Sequence, residues 1–301
     1  MGTGIKRLQT VILGVLLGCS TDPASAPTMI LKTADTEVVD TTAVTFVGAG
    51  DIAKCGSNTG DEETAKLLTS IPGTVYTLGD NVYDNATTVA YNDCYAPSWG
   101  KHKARTRPAP GNHEYNTSGA LPYYTYFDTL AGPRGRGYYS YDLGAWHIVV
   151  LNSETHTTAQ ETWLRQDLAA TTAKCVLAYW HHPLFTSGKH RPYTEMRNAF
   201  QILYDAGADV VLSAHNHQYE RFAPQGPWGG SQPVTGIRQF VVGTGGAGTP
   251  YPFTTVAKNS EVRYNGGYGV LKLTLSPDRY AWKFVSVPGK SFTDSGETAC
   301  H

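Results

Sequence analysis

A chain of 301 residues, 41% hydrophobic and 16% charged, has ordinary globular composition and enough length to bury a large core. Its formal net charge of -1 argues against a nucleic-acid partner, which asks for a basic excess. A small anionic ligand stays open, since a few local cations suffice for one.

In chain order, the first residues read as an export signal. Lys6 and Arg7 give a basic start, and Val11 to Leu17 form an apolar run too short to span a bilayer as a permanent helix. The run closes on Leu16-Leu17-Gly18-Cys19, which resembles the lipobox of bacterial lipoproteins. That resemblance implies a signal peptide over residues 1–19, diacylation of Cys19, and a membrane-anchored protein of the periplasm or cell surface. Cleavage after Ala24-Ser25-Ala26 is the rival reading, disfavoured by Pro27 just beyond the cut. Residues 20–43, rich in Thr, Ala, Pro and Asp without periodicity, read as a flexible tether.

From Val44 onward a single domain, residues 44–301, is expected. Strand-type apolar runs recur at Val44 to Ala49, Thr74 to Leu78, Trp146 to Leu151, Cys175 to Trp180, Ala208 to Ser213 and Gln239 to Val242. Helical patterns at Glu62 to Leu68, Gln160 to Ala170 and Tyr193 to Tyr204 lie between them, so the fold class is α/β. Val270 to Leu275 and Arg279 to Val287 alternate around Pro277-Asp278 as an antiparallel hairpin, and Tyr138 to Val150 forms another, turning near Asp142 to Gly144. Two mixed sheets packed face to face and flanked by helices, a four-layer α/β/β/α sandwich, accommodate both patterns.

Setting Cys19 aside leaves Cys55, Cys94, Cys175 and Cys300, an even number suited to disulfides in an oxidising compartment. Three pairings are possible. Cys55 with Cys94 and Cys175 with Cys300 is favoured, because the first ties two loops near the chemistry and the second pins the C-terminal tail. No two of them sit at CxxC spacing, which argues against a zinc site built from these cysteines.

The residues that carry chemistry stand just beyond the strand ends. Asp51 and Asp80 each come after a Gly at the end of an apolar run, placed to reach a ligand in the crevice there. Asn112 and His113 come after the rigid Pro108-Ala109-Pro110-Gly111. His181 and His182 close the run before them, and His215 and His217 close the next, where extended alternation sends both to one side. Singly, each is more often a turn or cap residue. Together, hard oxygen donors with imidazoles suit zinc, manganese or iron. Gly243 to Gly248 is glycine-rich, but no Lys-Ser/Thr comes after it, so it is backbone near the site or a turn and not a phosphate-binding P-loop.

The blocks Gly50-Asp51-Ile52-Ala53, Gly79-Asp80-Asn81-Val82-Tyr83, Gly111-Asn112-His113-Glu114, Val176 to His181 with Pro183, and Ala214-His215-Asn216-His217 resemble those of the calcineurin-like metallophosphoesterase superfamily. Within it they look like small single-domain purple acid phosphatases. Ala214 stands where the family usually has glycine. The resemblance implies two metal ions: Asp51, Tyr83 and His217 on the first, Asn112, His181 and His215 on the second, and Asp80 bridging. A phenolate at Tyr83 favours Fe(III) there, with Zn, Mn or Fe(II) at the second position. His181 is chosen over His182 because it sits two residues before Pro183; the role of His182 is open. Hydroxide from acidified water then attacks phosphorus of a small phosphate monoester. His113 assists the leaving group, and His190, in the polar loop Thr186 to Arg191, is expected to reach the phosphate. Two alternatives remain: a phosphodiesterase or nucleotidase using the same metals, and a non-catalytic metal- or phosphate-binding surface lipoprotein.

Overall fold

A computed structural model describes residue 1, residues 42–56 and residues 59–301, so the basic start, Cys19 and nearly all of the tether lie outside the described residues. Strands of four residues or more begin with β1 (Val44–Ala49), β2 (Thr74–Leu78), β3 (Thr106–Ala109), β4 (Tyr139–Leu143) and β5 (Trp146–Val150). They continue with β6 (Cys175–Tyr179), β7 (Val210–Ser213), β8 (Tyr219–Phe222) and β9 (Arg238–Val242). The last are β10 (Ser260–Tyr264), β11 (Gly269–Ser276), β12 (Arg279–Ser286) and β13 (Ser295–Ala299). The longer helices are α1 (Gly60–Ser70), α2 (Leu121–Phe127), α3 (Thr158–Ala170) and α4 (Arg197–Asp205).

Every apolar run expected to be a strand is one, and the two sheets are mixed. One has the order β13-β12-β11-β1-β2-β3, the other β10-β8-β9-β7-β6-β5-β4. β1, β2 and β3 are mutually parallel neighbours, as are β5, β6, β7 and β9. The expected hairpins are present: β11 and β12 close with Ser276 opposite Arg279, and β4 and β5 turn through Gly144 and Ala145. Strands buried on both faces need continuous apolar sequence, and β6 supplies it over its whole length, β7 up to Ser213 and β5 with the exception of His147.

The sheets meet through large side chains. Phe46 of β1 and Tyr76 of β2 lie 5.9 Å and 6.0 Å from the ring of Tyr179 on β6. On the outer side of the second sheet, Leu164 of α3 and Phe200 and Leu203 of α4 bury against Val149, Val176 and Val211. α1 buries Ala65 and Leu68 in the same core as the first sheet. Each such large side chain contributes roughly 1.5–3 kcal/mol relative to exposure.

Both favoured disulfides are formed, Cys55–Cys94 and Cys175–Cys300. The second closes a separation of 125 residues and joins the start of β6 to the residue after β13. Long closed loops of this kind stabilise by about 2–4 kcal/mol, mainly through the unfolded chain.

Candidate metal centre

Parallel strands point their C-terminal ends the same way, so β1, β2 and β3 from one sheet and β6 and β7 from the other deliver their loops to one crevice. Three of the delivered residues have left-handed backbone: Asp51 at φ 58°, Asp80 at φ 49° and His215 at φ 66°. Such a conformation costs a non-glycine residue about 1–2 kcal/mol and persists only where the surroundings dictate it. Here they do. Asp51 N–H donates to the Gly79 carbonyl at 3.1 Å and Ile52 N–H to the Asp80 carbonyl at 3.0 Å, while Gly245 and Ala247 N–H donate to Gly50 and Asp51, each at 2.9 Å. The glycine-rich segment is therefore backbone packed on the Asp51 turn. A Cβ at Gly243 would stand 2.5 Å from Asp51 Oδ2.

The side chains converge in two linked groups. The Tyr83 hydroxyl donates to Asp51 Oδ1 at 2.6 Å, with Asp80 Oδ2 at 2.9 Å and His217 Nε2 at 3.1 Å. On the other side, His181 Nε2 is 3.2 Å from Asp80 Oδ2, 3.2 Å from Asn112 Oδ1 and 3.2 Å from His215 Nδ1. Asp80 belongs to both groups. All seven residues expected to bind metal are thus brought together. His215 and His217 both reach the crevice, as expected, although the segment that carries them is not extended. The positive φ of His215, with Asn216 N–H bonded to the Ala214 carbonyl, turns the chain so that one imidazole joins each group.

Several observations test whether the donors fit metal ions. His181 Nδ1 lies 2.7 Å from the Leu78 carbonyl, which can only accept, so Nδ1 carries a proton and the neutral ring presents its Nε2 lone pair to the crevice. Asp51 Oδ2 and His217 Nδ1 are buried without a hydrogen-bond partner among the described residues, a costly condition for a carboxylate oxygen unless a cation meets it. Burial and the charges of Asp51 and Asp80 push the Tyr83 phenol well above 10. Burial would also raise the Asp80 carboxyl, yet His181 and His113 pull it far below the usual range. Burial lowers His215, and the neighbouring His181 and His182 lower it further. Carboxylate, phenol, amide oxygen and imidazole in this arrangement fit hard to borderline cations.

His113 and His190 flank this group. The His113 ring lies 4.1 Å from that of Tyr83, its backbone N–H donates to Asp80 Oδ1 at 2.8 Å, and its Nδ1 is bonded to the Asp84 carbonyl. The His190 ring lies 4.4 Å from that of His215 and 5.3 Å from that of Tyr251. Its loop is anchored by Glu220, which accepts from Ser187 N–H at 2.8 Å and from Ser260 Oγ at 2.5 Å. A cleft of about 200 Å³ opens over Tyr83, His113 and His217, walled by Lys54, Asp84 and Tyr251. Larger hollows, about 430 Å³ around His147 and about 500 Å³ beside α1, contain none of these residues. Chemistry, not cavity size, locates the site.

Sequence reasoning missed several supporting residues. Glu114 is buried and accepts from Asp80 N–H and Asn81 N–H at 2.9 Å, from Gly111 N–H at 2.7 Å and from the Tyr91 hydroxyl at 3.0 Å. Burial and the Asp80 charge raise its carboxyl to about 7, opposed by those donors. Its place beside Asn112-His113 was the signal. Tyr251 stacks on His217 at 4.4 Å, and nothing in its own neighbourhood of sequence announced that.

Residues 44–219, more than half of the chain, match the family model for calcineurin-like phosphoesterases, and the chain belongs to that family. It is 30% identical over 164 residues to purple acid phosphatase 21 of Arabidopsis thaliana, covering 45% of this chain and 37% of that protein. To purple acid phosphatase 22 of the same plant it is 29% identical over 211 residues, 60% of this chain and 45% of that one. The chain thus matches less than half the length of these relatives. A solved purple acid phosphatase from seeds of yellow lupin (Lupinus luteus) shares the fold, with a TM-score of 0.67 over 85% of this chain and 54% of its own, at 19% identity. The family is dimetal-dependent, and Asp51, Asp80 and His181 form one candidate metal-binding group here.

Proposed function

We propose that this phosphoesterase hydrolyses phosphate monoesters with a binuclear centre: Fe(III) held by Asp51, Tyr83 and His217, and Zn, Mn or Fe(II) held by Asn112, His181 and His215, with Asp80 between them. The observation that carries the reading is the Tyr83 hydroxyl, buried between two carboxylates and a histidine at 2.6–3.1 Å. A phenol so placed becomes a strong anionic donor only when a highly charged cation replaces its proton. Likeness to two plant purple acid phosphatases supports the same choice.

Cations at these positions supply Lewis acidity and an acidified water. The chain supplies the rest. His181, locked by Leu78, keeps one nitrogen turned to the crevice. His113, with Nδ1 tied to the Asp84 carbonyl and Nε2 3.8 Å from Asp80 Oδ2, is placed to give a proton to the departing oxygen. Proton donation of that kind is worth about 10²–10⁴ in rate. His190 meets the phosphate from beside His215 and Tyr251.

The test is metal analysis and a visible spectrum on the purified protein, with turnover of an aryl phosphate. Two ions per chain and a tyrosinate-to-iron band that vanishes in Tyr83→Phe are expected. Two ions and turnover without that band would remove ferric iron from the proposal, and full metal loading without turnover would remove the enzyme.

We propose further that the protein is exported and anchored by lipid on Cys19, a residue outside the described ones. The basic–apolar–small order ahead of it supports this, and two disulfides suit an oxidising compartment. Labelled palmitate should enter the wild type and not Cys19→Ser; equal labelling of both would end this reading.

A further inference from the structure

A third imidazole faces the second metal position. His182 comes directly after His181 beyond β6, and its ring lies 4.1 Å from that of His215 and 5.0 Å from that of His181. One ligating nitrogen from each of His181, His182 and His215 lies within 4.8 Å of the others. His182 is buried, and it is held from two directions. Its Nδ1 lies 2.6 Å from Glu154 Oε1 and 3.2 Å from Ser153 Oγ, and one ring face stacks on Tyr193 at 4.4 Å.

These anchors decide the tautomer. A carboxylate can only accept, so Nδ1 donates to Glu154, and the neutral ring keeps its lone pair on Nε2. A histidine that served packing alone would be satisfied by protein groups on both sides. Here both polar anchors act on one nitrogen, and no other group among the described residues engages Nε2. The carboxylate–histidine pair is the arrangement that orients ligating imidazoles and raises their basicity, and the same logic operates at His181 through the Leu78 carbonyl.

We propose that His182 is an additional ligand of the second metal ion, beside His181 and His215, with Glu154 as its positioning residue. This rests on the binuclear reading above. It also narrows that reading. Three imidazoles make the second position nitrogen-rich, and such a donor set favours zinc or ferrous iron over manganese, which prefers oxygen donors.

The full-length protein, freed of metal and titrated with Zn²⁺ and with Mn²⁺ against a chromophoric chelator, tests this without reference to turnover. The wild type should take up two zinc ions. His182→Asn should weaken the second by about 10–100-fold and leave the first unchanged, and Glu154→Gln should weaken the same ion in the same direction. The preference for zinc over manganese at that position should fall with it. If the wild type binds two ions and both variants hold the second as tightly as it does, His182 is not a ligand and the inference is overturned alone. An unchanged second ion with a raised KM for aryl phosphate also overturns it, assigning the ring to substrate. A wild type that binds fewer than two ions overturns the binuclear reading itself. Circular dichroism checks the fold, and if His182→Asn does not fold, Glu154→Gln, which keeps the ring, carries the decision.

Discussion

Asp80→Ala is expected to abolish turnover of an aryl phosphate, a fall of at least about 10³-fold, and to strip the protein of metal. Asp80 is the one side chain shared by the two groups: its Oδ2 meets the Tyr83 hydroxyl at 2.9 Å and His181 Nε2 at 3.2 Å. Lewis-acid stabilisation is worth several kcal/mol, and about 4 kcal/mol already corresponds to about 10³ in rate. A second effect adds to the first, since Oδ1 accepts the His113 N–H at 2.8 Å and its loss frees His113, the histidine proposed to serve the leaving group. Asp80→Asn separates the two, because the amide oxygen still serves His113 while the charge is gone. Elemental analysis with steady-state kinetics checks this, and an Asp80→Ala protein with wild-type turnover would end the claim that the reaction occurs here.

The largest effect on stability is expected from Glu114→Ala. No ligand is lost, yet the N–H groups of Asp80, Asn81 and Gly111 and the hydroxyl of Tyr91 lose their common acceptor. A buried donor left unpaired costs roughly 1–3 kcal/mol. Relaxation and entering water make four such losses less than additive, so a total of about 3 kcal/mol is expected, a fall in Tm of about 6–12 °C. Thermal unfolding followed by circular dichroism measures it. A shift under about 2 °C would mean that the loops after β2 and β3 are held by something other than this carboxylate. Glu114→Gln should recover only part of the loss, since its NH₂ opposes donors where a carboxylate oxygen accepted them.

These two residues mark what was legible in the sequence. Asp80 was, because a carboxylate just beyond an apolar strand run is readable without coordinates, and the same holds for Asp51 and, with an imidazole in its place, for His181. Glu114 stood inside a visible motif, but its partners come from Asp80, Asn81 and Tyr91, which local pattern cannot join to it. Glu154 was further out of reach, as 28 positions separate it from His182 in the chain. Within the fold, most of the buried strands announced themselves, while the edges β3 and β13 did not. β3 carries Pro108, tolerable because it is an edge strand, and β13, also an edge, reads Ser-Gly-Glu-Thr-Ala with no apolar alternation. His215 and His217 reach one crevice as expected, but by a turn at His215 that alternation along an extended backbone does not describe.

The left-handed backbone at Asp51, Asp80 and His215 has a consequence for anyone who sets out to make this protein sturdier. Glycine adopts that conformation without a steric cost, and asparagine with little. A screen that rewards only resistance to heat would therefore drift toward glycine at these three positions and collect molecules that fold more readily and do nothing. Hardiness and competence pull apart here, and selection for activity must accompany selection for heat resistance.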